Sequence, residues 1–203
     1  MAYIGAGRLD QPLEVLELRE TATGIWEWVT LRRAWAQVEQ TAKTNLFSKV
    51  GVGARDAAIV IRRQKLTLHN ALRWRGQHLF LTSITHRDRN HLDVGAALVE
   101  PVVCTAQSYT TRVGTGNRPE KAEQPPVTFP GILTEKYVRY EQEDTYAKAR
   151  RGLVLVTPKV IELSEGALVT VTEGPAKAVY NVQARHVLDP YKHEYEMDFS
   201  RDV

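Results

Sequence analysis

The chain has 203 residues, 43% hydrophobic and 25% charged, with a formal net charge of +3, which leaves room for one large domain or two small ones. No apolar run approaches the roughly 18 residues of a helical membrane span, and Met1-Ala2-Tyr3-Ile4-Gly5-Ala6-Gly7-Arg8 lacks the basic-then-apolar order of a secretory signal. The single cysteine, Cys104, excludes an intramolecular disulfide and a multi-cysteine zinc site; a protein made and used in the cytoplasm, with no membrane partner, is the expectation.

Residues 12–41 read as a long hairpin. Leu13, Val15, Leu16 and Leu18 alternate with polar residues, with one slip of phase that predicts a β-bulge. Thr21-Ala22-Thr23-Gly24 supplies the turn. On the return arm Trp26 and Trp28 share one face, and Ala34, Ala36 and Val38 continue the pattern on a run that also carries Trp35.

Residues 43–56 interrupt the alternation with two glycines and several small residues, which marks a loop longer than a hairpin needs. Strands resume at 57–64. Leu72-Arg73-Trp74-Arg75, then Gly76-Gln77 and residues 78–86, form the next hairpin, and a last strand of this half covers about 92–104. Cys104 follows Val102-Val103, so its thiol is expected to be buried and inert.

Charge is uneven along the chain. Residues 1–104 carry 14 Lys+Arg against 10 Asp+Glu, a net of +4, and residues 105–203 carry 13 against 14, a net of −1. Between 62 and 91 stand Arg62, Arg63, Lys65, Arg73, Arg75, Arg87 and Arg89, with Asp88 the sole acid. These seven are candidates to face DNA or an acidic partner, since such a field attracts polyanions; the plain alternative is a set of solvated strand faces.

Residues 105–131 are rich in Thr, Gly and Pro and read as a linker. Strand-like material returns at Ile132-Leu133 and Tyr137-Val138. A charged turn at Glu141-Gln142-Glu143-Asp144 and the basic run Lys148–Arg151 follow, then Leu153–Val156, Val160–Leu163, Ala167–Thr172, Ala178–Val182 and Glu194–Phe199. The expected fold is therefore all-β: two small barrel- or sandwich-like domains in tandem, 1–104 and 132–203, joined by a Pro/Gly-containing linker at 105–131. Gly76 and Gly174, Leu81 and Val179, Ile84 and Val182, and Arg87 and Arg185 align at one constant offset, a weak sign of duplication.

Motifs for chemistry are missing. Gly5-Ala6-Gly7 and Gly51-Val52-Gly53 have no following helix to make a phosphate loop. His86, Asp88 and His91 lack the spacing and supporting groups of a metal site, so no metal and no cofactor is expected. No nucleophile–base or paired-carboxylate arrangement stands out, so no enzymatic activity is expected. Trp26, Trp28, Trp35 and Trp74 alternate on strands and have core packing as their default; for Trp74, between two arginines, stacking on a nucleic-acid base is the alternative.

The order Pro12-Leu13-Glu14-Val15, Ile25-Trp26-Glu27-Trp28-Val29, Trp35-Ala36-Gln37-Val38-Glu39, polar loop, Ala58-Ile59-Val60-Ile61-Arg62, and Leu72–Phe80 closing on Leu81–Ile84 resembles the head–tail joining proteins of tailed bacteriophages, also called head-closure or stopper proteins. The resemblance covers about residues 8–104, and the remaining half is an addition to that pattern. It implies a structural virion protein of the neck, assembled in the host cytoplasm into a homo-oligomeric ring, twelve-fold or six-fold. Its implied partners are the portal or adaptor proteins, the tail terminator, and the packaged double-stranded DNA in the channel. It also implies that the loop after the second strand lines or plugs the channel, which maps here to Lys43, Asn45, Lys49, Gly51, Gly53 and Arg55. A tail terminator or minor tail component, and a nucleic-acid-binding β-barrel protein, are the alternative expectations.

Overall fold

The computed structural model describes residues 8–44, 55–113, 118–135, 153–187 and 189–203. They form fourteen strands: β1 (Gln11–Ala22), β2 (Ile25–Thr44), β3 (Arg55–Arg62), β4 (Asn70–Trp74), β5 (Gln77–His86), β6 (His91–Val99), β7 (Val102–Gln107), β8 (Tyr109–Val113), β9 (Pro119–Glu123), β10 (Val127–Glu135), β11 (Leu153–Pro158), β12 (Leu168–Val171), β13 (Ala178–His186) and β14 (Lys192–Arg201). The all-β expectation holds. The chain divides into two compact units, Met1–Arg19 with Glu27–Pro101, and Glu20–Trp26 with Val102–Val203.

The first unit is a closed barrel. Its strands run β1-β4-β5-β6-β3-β2, and β2 returns to pair with β1. Closure leaves no edge strand exposed. Alternation fills the interior: Leu13 and Val15, Ala36 and Val38, Ile59 and Ile61, Leu72 and Trp74, Leu79 and Leu81, and Leu92 and Val94 form one buried cluster. Each large aliphatic side chain so buried contributes about 1.5–3 kcal/mol. Arg75 (φ 50°) and Gly76 (φ 77°) make the two-residue turn between β4 and β5. Two consecutive positive φ angles are what a type I′ hairpin requires.

On the β4 side of β1, the phase slip at Val15-Leu16 is not a bulge. The β1–β4 register is continuous from Glu14–Arg73 to Glu17–Asn70. Val15 faces the barrel interior, and Leu16, on the opposite face, is fully buried as well. A bulge lies between Leu81 and Ser83 on β5, and the β2–β3 register also shifts between Gln40 and Thr44. Gly95 stands opposite the β5 bulge: a Cβ there would be 2.5 Å from Ser83 Oγ and 3.1 Å from Thr82 Oγ1, so these exposed hydroxyls would have to turn aside.

The second unit closes in the same way, as β10-β11-β14-β13-β12-β7 with β7 paired back to β10. Counting the six strands of each ring in chain order, both units follow one path, first-second-third-sixth-fifth-fourth. The ribbon β8–β9 is an insertion between the first and second strands of the second ring. Gly76 and Gly174 both have positive φ and both precede the fifth strand. The constant offset breaks beyond them, because the turn before β13 is the longer one. The bulged residue of the fifth strand is Thr82 in one barrel and Gln183 in the other. Leu81 therefore corresponds to Val182 and not to Val179.

The stretch 105–131, expected as a linker, is mostly strand in its described part, carrying the end of β7, β8, β9 and the start of β10. Three of its prolines sit at a strand start or between strands, and Pro130 lies within β10 opposite Val103. Pro119 opens β9, and Pro125-Pro126 separate β9 from β10. Gly24 (φ 74°) lies in the part of the hairpin that groups with this unit, where its carbonyl accepts from Thr128 N–H at 2.7 Å.

Val160–Leu163, expected as a strand, is irregular backbone, although Ile161 and Leu163 are buried. Tyr195, fully buried on β14, holds this segment in place. Its hydroxyl donates to Ile161 O and accepts from Leu163 N–H, both at 3.0 Å. Side-chain hydrogen bonds here replace a ladder, satisfying backbone groups that burial would otherwise leave unpaired. Cys104 is completely buried, and desolvation pushes its thiol up to about 12, which keeps it protonated and unreactive. Tyr137-Val138, Glu141–Asp144 and Lys148–Arg151 lie outside the described residues.

Candidate binding surface

The seven basic candidates do not form one patch. β5 runs the length of the first barrel, and its ten residues separate the two ends by roughly 30 Å. Arg73 and Arg75 stand at the start of β5, beside the β4–β5 turn. Arg62, Arg63, Lys65, Arg87 and Arg89 gather at its other end. There Arg62 pairs in register with His91, and Arg63 N–H donates to Asn90 O at 2.6 Å.

The two sets also differ in what holds them. Arg73 Nη1 is 3.2 Å from Glu14 Oε2, and the Arg75 guanidinium lies 4.6 Å from the centroid of the Trp74 ring. Trp74 is itself buried in the barrel core, so the base-stacking alternative does not apply to it. At the far end Arg87 pairs with Asp93 at 3.1 Å. Arg62, Arg63, Lys65 and Arg89, with Arg33 on β2, are exposed and have no carboxylate partner among the described residues.

His91, Asp88 and His86 do not converge on a metal position. Asp88 Oδ1 accepts from Asn90 N–H at 2.7 Å and His91 N–H at 2.8 Å, and Asp88 Oδ2 meets His91 Nδ1 at 2.9 Å. The carboxylate organises the β5–β6 turn. The Asn90 amide, then the His91 ring, hold it below the usual carboxylate range. Among the described residues no group of three or more His, Cys, Asp or Glu stands ready for a metal ion.

Of the channel-loop candidates, Lys43 and Arg55 lie at the opposite end from the five clustered cations. Arg55 opens β3, exposed, and pairs with Leu98. Lys43 belongs to β2, whose last residue, Thr44, faces Arg55 in the ladder. Asn45, Lys49, Gly51 and Gly53 lie outside the described residues. The interruption of the strand pattern is thus narrower than residues 43–56.

One tryptophan departs from the core-packing expectation. Trp35 is 58% exposed, and with Leu9, Ala34, Arg62 and Gln64 it lines an open groove of about 450 Å³. The β2–β3 register pairs Ala36 with Ile61, so Trp35 and Arg62 are the next cross-strand neighbours outward. Gln64 is set by Arg32, whose Nε donates to Gln64 Oε1 at 2.7 Å while its Nη2 donates to Lys65 O. The signal was present in the alternation: Ala34, Ala36 and Val38 point inward, which sends Trp35 outward.

No protein-family model matches the chain, and no curated protein does. Among solved structures it is similar to a chain described as "Virion of native gene transfer agent (GTA) particle", with 19% identity, 44% of this chain and 94% of that chain covered, and a TM-score of 0.37. At that score the likeness carries no argument about function.

Proposed function

We propose that this chain is a structural, non-enzymatic component of a tailed-phage neck, forming a ring between portal or adaptor and tail that retains packaged DNA. The observation that carries the reading is the placement of its sequence resemblance on the barrel. Trp35-Ala36-Gln37-Val38-Glu39 lies on β2, and that strand leads straight into residues 45–54, which connect to β3 at one end of a closed ring of strands. A closed barrel offers no edge for sheet extension, so copies must assemble through side-chain surfaces and loops. Head-to-tail contacts of that kind generate cyclic rings when the rotation closes. In this reading the second barrel, built on the same strand path, adds a further contact surface for the tail terminator or the adaptor.

The loop is the part to test. Thr44 and Arg55 are paired, so replacing Asn45–Gly53 by an Asn-Gly turn keeps a short hairpin connection. The variant barrel is expected to fold, while particles assembled with it lose packaged DNA before tails attach. Particles that keep their DNA and join tails at the normal yield would contradict a plugging role for the loop.

A further inference from the structure

We infer that the groove between Trp35 and Arg62 is a binding site for single-stranded nucleic acid, independent of whether the chain forms a ring. Five cations without carboxylate partners among the described residues stand at this end of the barrel: Arg62 lines the groove, Arg33 lies two residues before Trp35 on the same face of β2, Arg63 and Lys65 follow β3, and Arg89 lies in the β5–β6 turn. Phosphates neutralise such a set, whereas a neutral partner leaves it desolvated and unpaired.

The indole decides the kind of polyanion. Trp35 stands open to solvent beside Leu9, the apolar side chain that lines the groove with it. Leu9 is anchored there by packing on Val60. An exposed indole next to a guanidinium offers a flat surface on which any base can stack while the arginine meets the adjoining phosphate. In a duplex the base faces are already stacked on one another, so only an unpaired base reaches Trp35. An acidic peptide would satisfy the cations but leave the indole face unused. Arg32, by fixing Gln64 and the Lys65 carbonyl, keeps the groove open and correctly shaped and acts as a positioning residue.

The test is fluorescence anisotropy of a labelled 20-nucleotide oligothymidylate with the full chain. Five phosphate contacts predict a loss of affinity of about 100-fold between 50 and 200 mM salt. Trp35→Ala should weaken binding by about tenfold or more at constant salt, with Trp35→Phe retaining most of it. Arg75→Ala, at the opposite end of β5, should change nothing. Because Trp35 is exposed, its replacement should leave the circular dichroism spectrum intact. If W35A nonetheless fails to fold, Arg62→Glu interrogates the same groove, and retained affinity in that variant overturns the site. It is equally overturned by no binding at 50 mM salt, by W35A binding as tightly as the parent, or by a 20-base-pair duplex or polyglutamate binding as tightly as the single strand.

Discussion

Gly131→Val is expected to destabilise the second barrel by about 3 kcal/mol, through overpacking of a filled interior. Gly131 is a buried strand residue on β10, opposite Val102. A Cβ at this position would stand 2.5 Å from Leu155 Cδ1 and 2.9 Å from Cys104 Sγ. Leu155 and Cys104 are themselves completely buried, so neither has free space to move into. For a unit of this size the loss corresponds to a fall in Tm of more than about 10 °C. Trimming the obstructing side chain should relieve part of it. Gly131→Ala combined with Leu155→Val is expected to be less damaging than the sum of the two single changes, a coupling that double-mutant analysis by urea unfolding reads directly. An unchanged Tm for Gly131→Val would mean that β10 does not close the ring against β7 and β11 as described.

The first barrel is expected to lose about 3 kcal/mol between pH 6.5 and pH 4 through His78. His78 is buried on β5, with Trp28 at 5.2 Å between ring centroids and no hydrogen-bond partner for Nε2. Burial, and secondarily the positive charge of Arg73, lower its pKa from 6.5 to about 4. The unfolded chain therefore takes up a proton in this interval before the folded chain does. The stabilisation is fully present above pH 6.5 and is lost as the pH falls toward 4. His78→Leu should flatten this dependence in urea titrations at pH 7, 5 and 4. His193 in the second barrel is shifted in the same direction, mainly by burial, so a smaller slope should remain in that variant. A parent protein equally stable at pH 7 and pH 4 would contradict the buried neutral imidazole.

Much of the first barrel was legible as strict alternation. Leu13 and Val15, Ala36 and Val38, and Ile59 and Ile61 have a period of two, and they line the interior. Leu16 misled because it is buried on the other face of its strand, which periodicity renders as a slip of phase. Residues 105–131 hide their strands for a related reason: short strands flanked by prolines carry too few apolar positions to show a period, and Gly131 has the look of a turn residue although it is buried in a crowded strand. Val160–Leu163 has the composition of a strand, but its backbone is paired by the Tyr195 hydroxyl, a contact 34 residues away from Ile161 in sequence.

The candidate surface was legible as charge but not as place. Seven cations close in sequence separate because the chain reverses at Arg75-Gly76 and again at Arg87–Asn90, which sends Arg73 and Arg75 to one end of the barrel and the other five to the opposite end. Trp35 joined Arg62 only through the cross-strand register, which composition does not encode.

The central claim is that these barrels assemble into a ring of the phage neck. Electron microscopy of the purified chain, alone and with portal–adaptor connectors, tests it most directly. A closed ring seated on the connector, with the Thr44–Arg55 end of the first barrel toward the axis, is the predicted result. A chain that stays monomeric and leaves connectors bare would contradict it.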